Sequence, residues 1–549
     1  MGFSLANMFE LIVWFCAVVQ NDSKECSFTY TEYVCLSLQS ISRLQFQRIC
    51  SIMISNKRGL SAGQEDEMQQ LNELKPQKVY HFFEEISAIP RGSGNTEEIA
   101  AYCLRFAEER GLRAVKDRGR NVIIYADGTP GYENSAPFIL QGHMDMVCEK
   151  TADCNKDMAK EGLDLRTDGK FVWAEGTTLG GDDGIALAFI FALLDSDDIP
   201  HPPIEAIITR DEETGMFGAE ELDESLIHGK TLLNIDSEEE GILTVSCAGG
   251  VDISFSIPVA AAQKSTGDFW EIAVSGLRGG HSGADIGKNR ANALKTLGAM
   301  LRSISEQVPF SICSAAGGNK PNVIPQLATA VIHADSDGAD TLRACVESFG
   351  KQFAAEYGET DPDAVCSIRP ATAAARICDA ESTAKIITFL ADAPNGVTAM
   401  SETMPGIVQT SLNLGVFRLE KDHIEGTFLI RSNLTEERDD LLKTTEAFIS
   451  RLGGDATVGG AYPPWEYRKD SPLRELMTEV FREQYGKEPV ISAIHAGLEC
   501  AIFSNKLKDA DMISIGPDIH DIHTPDERMD VASVARTWEF VKEILRRSR

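Results

Sequence analysis

APFILQGHMD, residues 136–145, decides the fold: a short apolar run that reads as a buried strand ends in His143 and Asp145. Three more runs share its character, NVIIYA at 121–126, IEAIITR at 204–210 and KTLLNID at 230–236. Segments of helical texture lie between them. GIALAFIFALLDS, 184–196, is apolar on every face but too short to span a bilayer, so a helix buried inside the protein is expected there. Strands and helices alternating in this way give an α/β domain with a mainly parallel central sheet.

Working outward, LNELKPQKVYHFFEEISAI (71–89) reads as an amphipathic helix, and NTEEIAAYCLRFAEERG (95–111) as another that stops at Gly111. Around Gly249 the texture changes. ISFSIPVAA (253–261), FWEIAVSGL (269–277) and TAVIHADS (329–336) read as antiparallel strands, with the helix ANALKTLGAMLRSISEQ (291–307) among them. This α+β region is expected to close in the helix EERDDLLKTTEAFISRLG, at about residue 446. The α/β texture then returns with the helix SPLRELMTEVFREQYG and the strand DMISIG. A last helix is expected to start at Thr524, with Pro525 at its first position and Glu527 completing a capping box. Its apolar stripe would be Val531, Val534, Trp538, Val541 and Leu545. The layout is a catalytic domain in two parts, 68–249 and 447–549, interrupted by an inserted α+β domain, 250–446. Residues 1–67 form an extension whose apolar run, Phe9 to Val19, is broken by Glu10 and preceded by no Lys or Arg; it is expected to add nothing to the fold.

Composition narrows the function. The 549 residues are 43% hydrophobic and 25% charged, as in globular proteins, with a net charge of −32. A surface that acidic repels phosphate backbones and anionic membranes, so neither nucleic acid nor membrane is expected as a partner. Thirteen cysteines without a C-x-x-C pair argue for reduced thiols and a cytoplasmic location, and against a Cys-ligated zinc.

The chemistry sits at the ends of the strands. His143 and Asp145 follow one, Asp211, Glu212 and Glu213 the next, and Asp236 the third, while Asp182 lies just before the buried helix. Ligands of open parallel sheets bind at the carboxyl ends of the strands. In a chain with 84 acids one H-x-D or one Glu pair signifies little, and the Glu run 238–240 is assigned no role. Several acids and a His at consecutive strand ends would repel one another without a cation, and a divalent metal is the simplest neutraliser. Gly142, Gly180, Gly181, Gly184 and Gly215 flank these positions and permit close backbone approach.

GHMDMV, GTTLGGDDGIALA, TRDEETGMFGAEEL, LLNIDSEEEG, GGHSGADIGKNRANA and HAGLEC…GPDIHDIHTPDE together resemble the aminoacyl-histidine dipeptidases, also called Xaa-His dipeptidases or peptidase D. These belong to the di-zinc hydrolases that include acetylornithine deacetylase and succinyl-diaminopimelate desuccinylase. The resemblance covers residues 68–549 and implies a zinc-peptidase-like catalytic domain under a lid. It implies two divalent metal ions, with Asp182 bridging them and His143, Glu213, Asp236 and His523 as terminal ligands. Imidazole and carboxylate suit zinc, while manganese and cobalt use similar donors. Asp145 would brace His143, and Glu212 resembles the general base. His281 resembles the histidine that stabilises the tetrahedral oxyanion, often from the lid of a dimer partner, and Arg431 the residue that holds the substrate's terminal carboxylate. His523 is preferred to His520 because it directly precedes T-P-D-E. His495 and Glu499 have no role assigned, and Asn322 serves substrate or only a turn. Asp183 stands where relatives have Asn, and Ala501 where they often have Gly; neither change removes a ligand.

The expectation is a metal-dependent dipeptidase acting on short peptides with a free amino terminus, Xaa-His and β-alanyl-histidine among them, with a homodimer through the lid. A tripeptidase, an N-acyl amino acid deacylase and a catalytically dead binding scaffold are the alternatives.

Overall fold

The computed structural model describes residues 71–549 apart from 263–265 and 373–375, so the extension 1–67 lies outside the described residues. APFILQGHMD contributes the strand Phe138–His143 to an eight-stranded sheet. The sheet order is Arg113–Lys116, Val122–Ala126, Ile204–Thr209, Phe138–His143, Thr231–Asn234, Asp511–Ser514, Ile242–Cys247 and Val490–Ile494. The four strands from Ile204–Thr209 to Asp511–Ser514 run parallel, with His143 level with Thr209 and Gln141 level with Asn234. Antiparallel pairing is confined to the Val122–Ala126 side and to the contact between Asp511–Ser514 and Ile242–Cys247. The sheet is therefore mixed, with a parallel centre.

Both faces of that centre are covered, which is why its strands read as mostly apolar runs. Phe138, Leu140, Ala206 and Ile208 pack in one core with the helix Gly181–Leu194, while Ile139, Ile207 and Leu232 pack on the other face with Phe503 and Met512. The apolar helix is enclosed: Phe191 meets Phe106 at 4.5 Å between ring centroids, and Phe189 meets Trp538 at 5.3 Å. Its first residues are irregular, with non-helical backbone at Asp182 and Asp183.

One expectation about the later chain is corrected. The last helix spans Val531–Arg547 and is capped by Asp530, whose side chain accepts from the N–H of Ser533. Thr524–Glu527 is a turn before it, and Glu527 is drawn away to another loop, described below. The boundary at 446 falls inside the helix Thr435–Arg451, and the strand after it, Asp455–Tyr462, still pairs with Gly249–Pro258. That pairing belongs to a nine-stranded antiparallel sheet built on Gly249–Pro258, Asp268–Ser275, Phe310–Gly317, Ala328–Ala334, Val408–Leu419 and His423–Ser432. Helices Ala293–Ser305 and Ala380–Asp392 cover it, with Leu297, Leu301, Ile386 and Phe389 in its core. Among the described residues no helix is long and apolar enough to cross a membrane, and the nine cysteines are all free thiols.

Candidate active site

The parallel strands deliver their terminal side chains to one place. His143 is buried, with its Nε2 at 3.0 Å from Asp182 Oδ1 and 3.3 Å from Asp236 Oδ1. The other oxygen of Asp182 faces His523, Oδ2 to Nε2 at 3.1 Å, and the same His523 nitrogen is 3.1 Å from Glu213 Oε2. One carboxylate thus stands between two clusters, His143 with Asp236 and His523 with Glu213. His143, Asp182 and Glu213 offer ligand atoms within 4.8 Å of one another, as do His143, Asp183 and Asp236. His523 is the open side of the site, with 45% of its side chain exposed against 1% for His143. His520 points elsewhere, its ring against Phe171.

Asp145 is the brace between these clusters. It is fully buried, with Oδ1 accepting from Glu212 N–H at 3.0 Å and Oδ2 from the Ser93 hydroxyl at 2.8 Å. Its Oδ1 lies 3.5 Å from His143 Nδ1, so the ring is oriented with Nε2 toward Asp182 and Asp236. Asp183 lies behind His143 and accepts its backbone N–H at 3.0 Å. A Cβ at Gly142 would lie 2.6 Å from that carboxylate, so a side chain there would push the buried helix off the strand. Asp211 turns aside, to Arg210 and to the N–H of Gly94.

The electrostatics call for cations. No Lys or Arg among the described residues pairs with Asp182, Asp236 or Glu213, and the buried Glu213 Oε1 has no hydrogen-bond partner. Burial, with the surrounding acids, pushes Asp236 up to about 6, against the opposing pull of His143. Burial also raises Glu212 well above the ordinary carboxylate range, reinforced by Asp236, Glu499 and Glu213. Hydrogen bonds that its ring donates to Asp182 and Glu213 push His523 up to about 11. Burial opposes the charged form of His143, but Asp236, Asp145 and Asp182 outweigh it and raise that group as well. Protons here occupy positions where divalent cations on the same nitrogen and oxygen atoms would neutralise the acids, so the donor set fits a pair of such ions.

A second group gathers around Arg431, in the strand His423–Ser432. Its Nη1 donates to the Tyr462 hydroxyl at 2.9 Å, its Nε points at Ser282 Oγ at 3.4 Å, and Nη2 lies 3.5 Å from His281 Nε2. His281 Nδ1 accepts the backbone N–H groups of Gly283 and Ala284, each at 3.2 Å. That leaves the proton of the neutral ring on Nε2, as a donor. Burial, with Arg431 alongside, keeps His281 below its usual value and therefore neutral. His495 completes the group, with Nε2 at 2.8 Å from Ser411 Oγ and Nδ1 at 3.3 Å from Asn433 Oδ1. No hydrogen bond or ion pair among the described residues joins His281 or Arg431 to the His143 and His523 clusters. Asn322 gives its carbonyl to the N–H of Ser282, a backbone role.

Five further residues support the site: Glu499, Gln141, Asn234, Glu527 and Tyr462. Glu499, buried beneath it, accepts from Gln141 Nε2 and Thr209 Oγ1, both at 2.6 Å, and Gln141 in turn accepts from Asn234 Nδ2 at 2.6 Å. Gln141 and Asn234 each stand one pleat below a site residue, His143 and Asp236. Polar residues at those places in apolar runs were a usable signal. Glu527 and Tyr462 left no such mark.

The model of peptidase family M20/M25/M40 matches residues 139–547, and the chain belongs to that family and is a metallopeptidase. The chain is 34% identical over 480 residues to the cytosol non-specific dipeptidase of Escherichia coli (strain K12), which covers 87% of this chain and 99% of the relative. The crystal structure of aminoacylhistidine dipeptidase from Vibrio alginolyticus matches with a TM-score of 0.82 and 33% identity, over 88% of this chain and 99% of that one. The aminopeptidase PepT from Bacillus cereus shares the fold at 16% identity and a TM-score of 0.50, over 86% and 99% of the two chains.

Proposed function

We propose that this protein hydrolyses dipeptides with a free amino terminus, Xaa-His dipeptides among them, using two divalent metal ions, zinc in the first instance. The observation that carries the reading is Asp182, whose two oxygens face His143 and His523 separately, with Asp236 and Glu213 on their respective sides. His143, Asp236 and Asp182 would hold one ion; His523, Glu213 and Asp182 would hold the other. When bound, such ions lower the pKa of water to about 7 and polarise the scissile carbonyl. Glu212 then takes the proton of the attacking water and returns it to the amide nitrogen as the C–N bond breaks. Asp145 holds Glu212 and Glu213 by their backbone N–H groups, so base and ligand project from one fixed turn. His281 donates from Nε2 to the oxygen that gains charge, and Arg431 takes the terminal carboxylate. The relatives' names support a dipeptide substrate and a cytosolic setting. A homodimer through the antiparallel domain would bring His281 from one subunit to the other's metals. The pairing of Asp455–Tyr462 with Gly249–Pro258 supports a lid that extends past 446, to about residue 462.

The test is a substrate panel on the metal-loaded protein: dipeptides, tripeptides and N-acyl amino acids. Dipeptides with a free amine are expected to be cleaved far faster than the rest. Preference for tripeptides or acylated amino acids would overturn the proposal.

A further inference from the structure

Arg431 is 6% exposed and makes no salt bridge among the described residues. Asp252 feels the guanidinium but makes no ion pair with it; a buried guanidinium with no acid in contact is costly, so its place in the fold suits an incoming anion. The polar group closest to it is the Tyr462 hydroxyl, 2.9 Å from Nη1. In that bond the phenol oxygen accepts. Its own proton is left without an acceptor among the described residues, beside a cation, on a half-buried ring.

The ring that carries this hydroxyl has little freedom. Tyr462 ends the strand Asp455–Tyr462, level with Gly250 on the neighbouring strand. A Cβ at Gly250 would lie 2.5 Å from the ring, and one at Gly497 would lie 2.9 Å from its other edge. Two glycines from separate segments therefore leave a slot the width of a flat ring. Gly497 belongs to the stretch that carries His495 and Glu499, so the slot also ties the Arg431 group to the floor of the metal clusters.

We infer that the Tyr462 hydroxyl is a second donor to the terminal carboxylate of the substrate, alongside Arg431. The inference rests on the reading of Arg431 as the carboxylate's partner. Guanidinium and phenol would together present two donors of different geometry, and a peptide ending in a neutral carboxamide would forfeit the charge-assisted part of both bonds.

Paired substrates separate the possibilities: one dipeptide with a free carboxylate and the same dipeptide as its carboxamide, assayed on wild type, Tyr462→Phe, Arg431→Ala and the double variant. Tyr462→Phe keeps the ring in its slot and is expected to raise KM for the carboxylate form about 10- to 100-fold, with kcat changed far less and the carboxamide barely affected. The double variant is expected to lose discrimination beyond Arg431→Ala alone. Equilibrium binding of a non-hydrolysable dipeptide isostere, as acid and as amide, reads the same ratio without turnover. If Tyr462→Phe treats both substrates alike, or has no further effect once Arg431 is gone, the hydroxyl does not touch the carboxylate and the inference falls while the Arg431 reading stands. If Arg431→Ala itself leaves the ratio unchanged, the Arg431 reading falls and takes the inference with it.

Discussion

Removing the Glu527 carboxylate should loosen the loop that carries Asp182. Glu527 is 2% exposed, and its Oε2 accepts from Leu179 N–H at 2.8 Å and Gly180 N–H at 3.0 Å, while Oε1 accepts from Gly181 N–H at 2.8 Å. Three successive amides can converge on one carboxylate because Gly180 has a φ of +62°, the left-handed conformation that turns neighbouring N–H groups to the same side. The next residue after those amides is Asp182, and four residues before Glu527 is His523. One side chain thus ties together both of the loops that meet at Asp182 Oδ2. From the opposite side Arg91 donates to the carbonyls of Met144, Asp145 and Gly180. Hydrogen bonds to a charged group contribute about 1.5–3 kcal/mol each, but they share one carboxylate and do not add; losing one partner of such a buried network costs about 3–5 kcal/mol. Glu527→Ala is therefore expected to lower the thermal midpoint of the metal-free protein clearly. Groups that orient metal ligands typically govern 10- to 100-fold in affinity, so zinc titrated against a competing chromophoric chelator should bind that much more weakly. Glu527→Gln keeps an acceptor for part of the loop and should fall between. An alanine variant with wild-type melting and wild-type zinc affinity would refute the reasoning and leave Arg91 as the main support of the loop.

Chelation should abolish hydrolysis, and zinc, cobalt or manganese should restore it; full activity in a verified metal-free preparation would contradict the donor assignment. Glu212→Gln is expected to retain metal while kcat falls by roughly 10²- to 10⁴-fold, and loss of metal instead would show that Glu212 and Glu213 have exchanged roles. His281→Ala should lower kcat by roughly 10²- to 10³-fold with little change in KM, and mixing it with Glu212→Gln should regain activity only if subunits complete each other's sites. Burial, with Arg431 and His281 nearby, holds His495 down to about 3. Below about 6.5 the unfolded chain takes up a proton that folded His495 refuses, so this group erodes stability as pH falls from about 6.5 toward 3, by up to about 1.4 kcal/mol per pH unit. Denaturant unfolding of metal-free wild type and His495→Asn between pH 7 and 5 should show the shallower acid slope in the variant; equal slopes would mean His495 is not held neutral.

The centre of the molecule was legible because its sequence signals are local. A parallel strand covered on both faces is mostly apolar, so the charged residues that follow it mark both its end and the crevice, as His143, Glu212 and Asp236 do. The same logic exposed Asp182 before a helix that is apolar on every side. Gln141 and Asn234 carried a fainter version of that signal, but their common neighbour Glu499 comes from a distant segment and only the fold makes the group.

Glu527 shows where local reading gives a wrong answer. Thr524 and Glu527 have the spacing of a capping box, and in an isolated peptide the Glu would reach back to the Thr524 N–H. In the folded chain three buried amides of Leu179–Gly181 compete for the same carboxylate, and an exposed N–H that water can satisfy loses to them. The helix then starts later, at a cap of its own in Asp530. The boundary at 446 and the strand pairing differ for a related reason. Nothing in the pattern of Thr435–Arg451 announces a domain edge, and DATVGGAY lacks the alternation of a half-buried strand because it is an edge strand with mostly exposed positions. What fixes it is pairing with Gly249–Pro258, a partner distant in sequence, and that pairing sets Tyr462 beside Arg431. The polar groups around Arg431 come from four stretches of chain, near residues 281, 431, 462 and 495, and of these the stretch with Tyr462 carries no motif. His143, Glu213 and Asp236 are written at consecutive strand ends, whereas the setting of Tyr462 beside Arg431 is written in strand register, and register is visible only after folding.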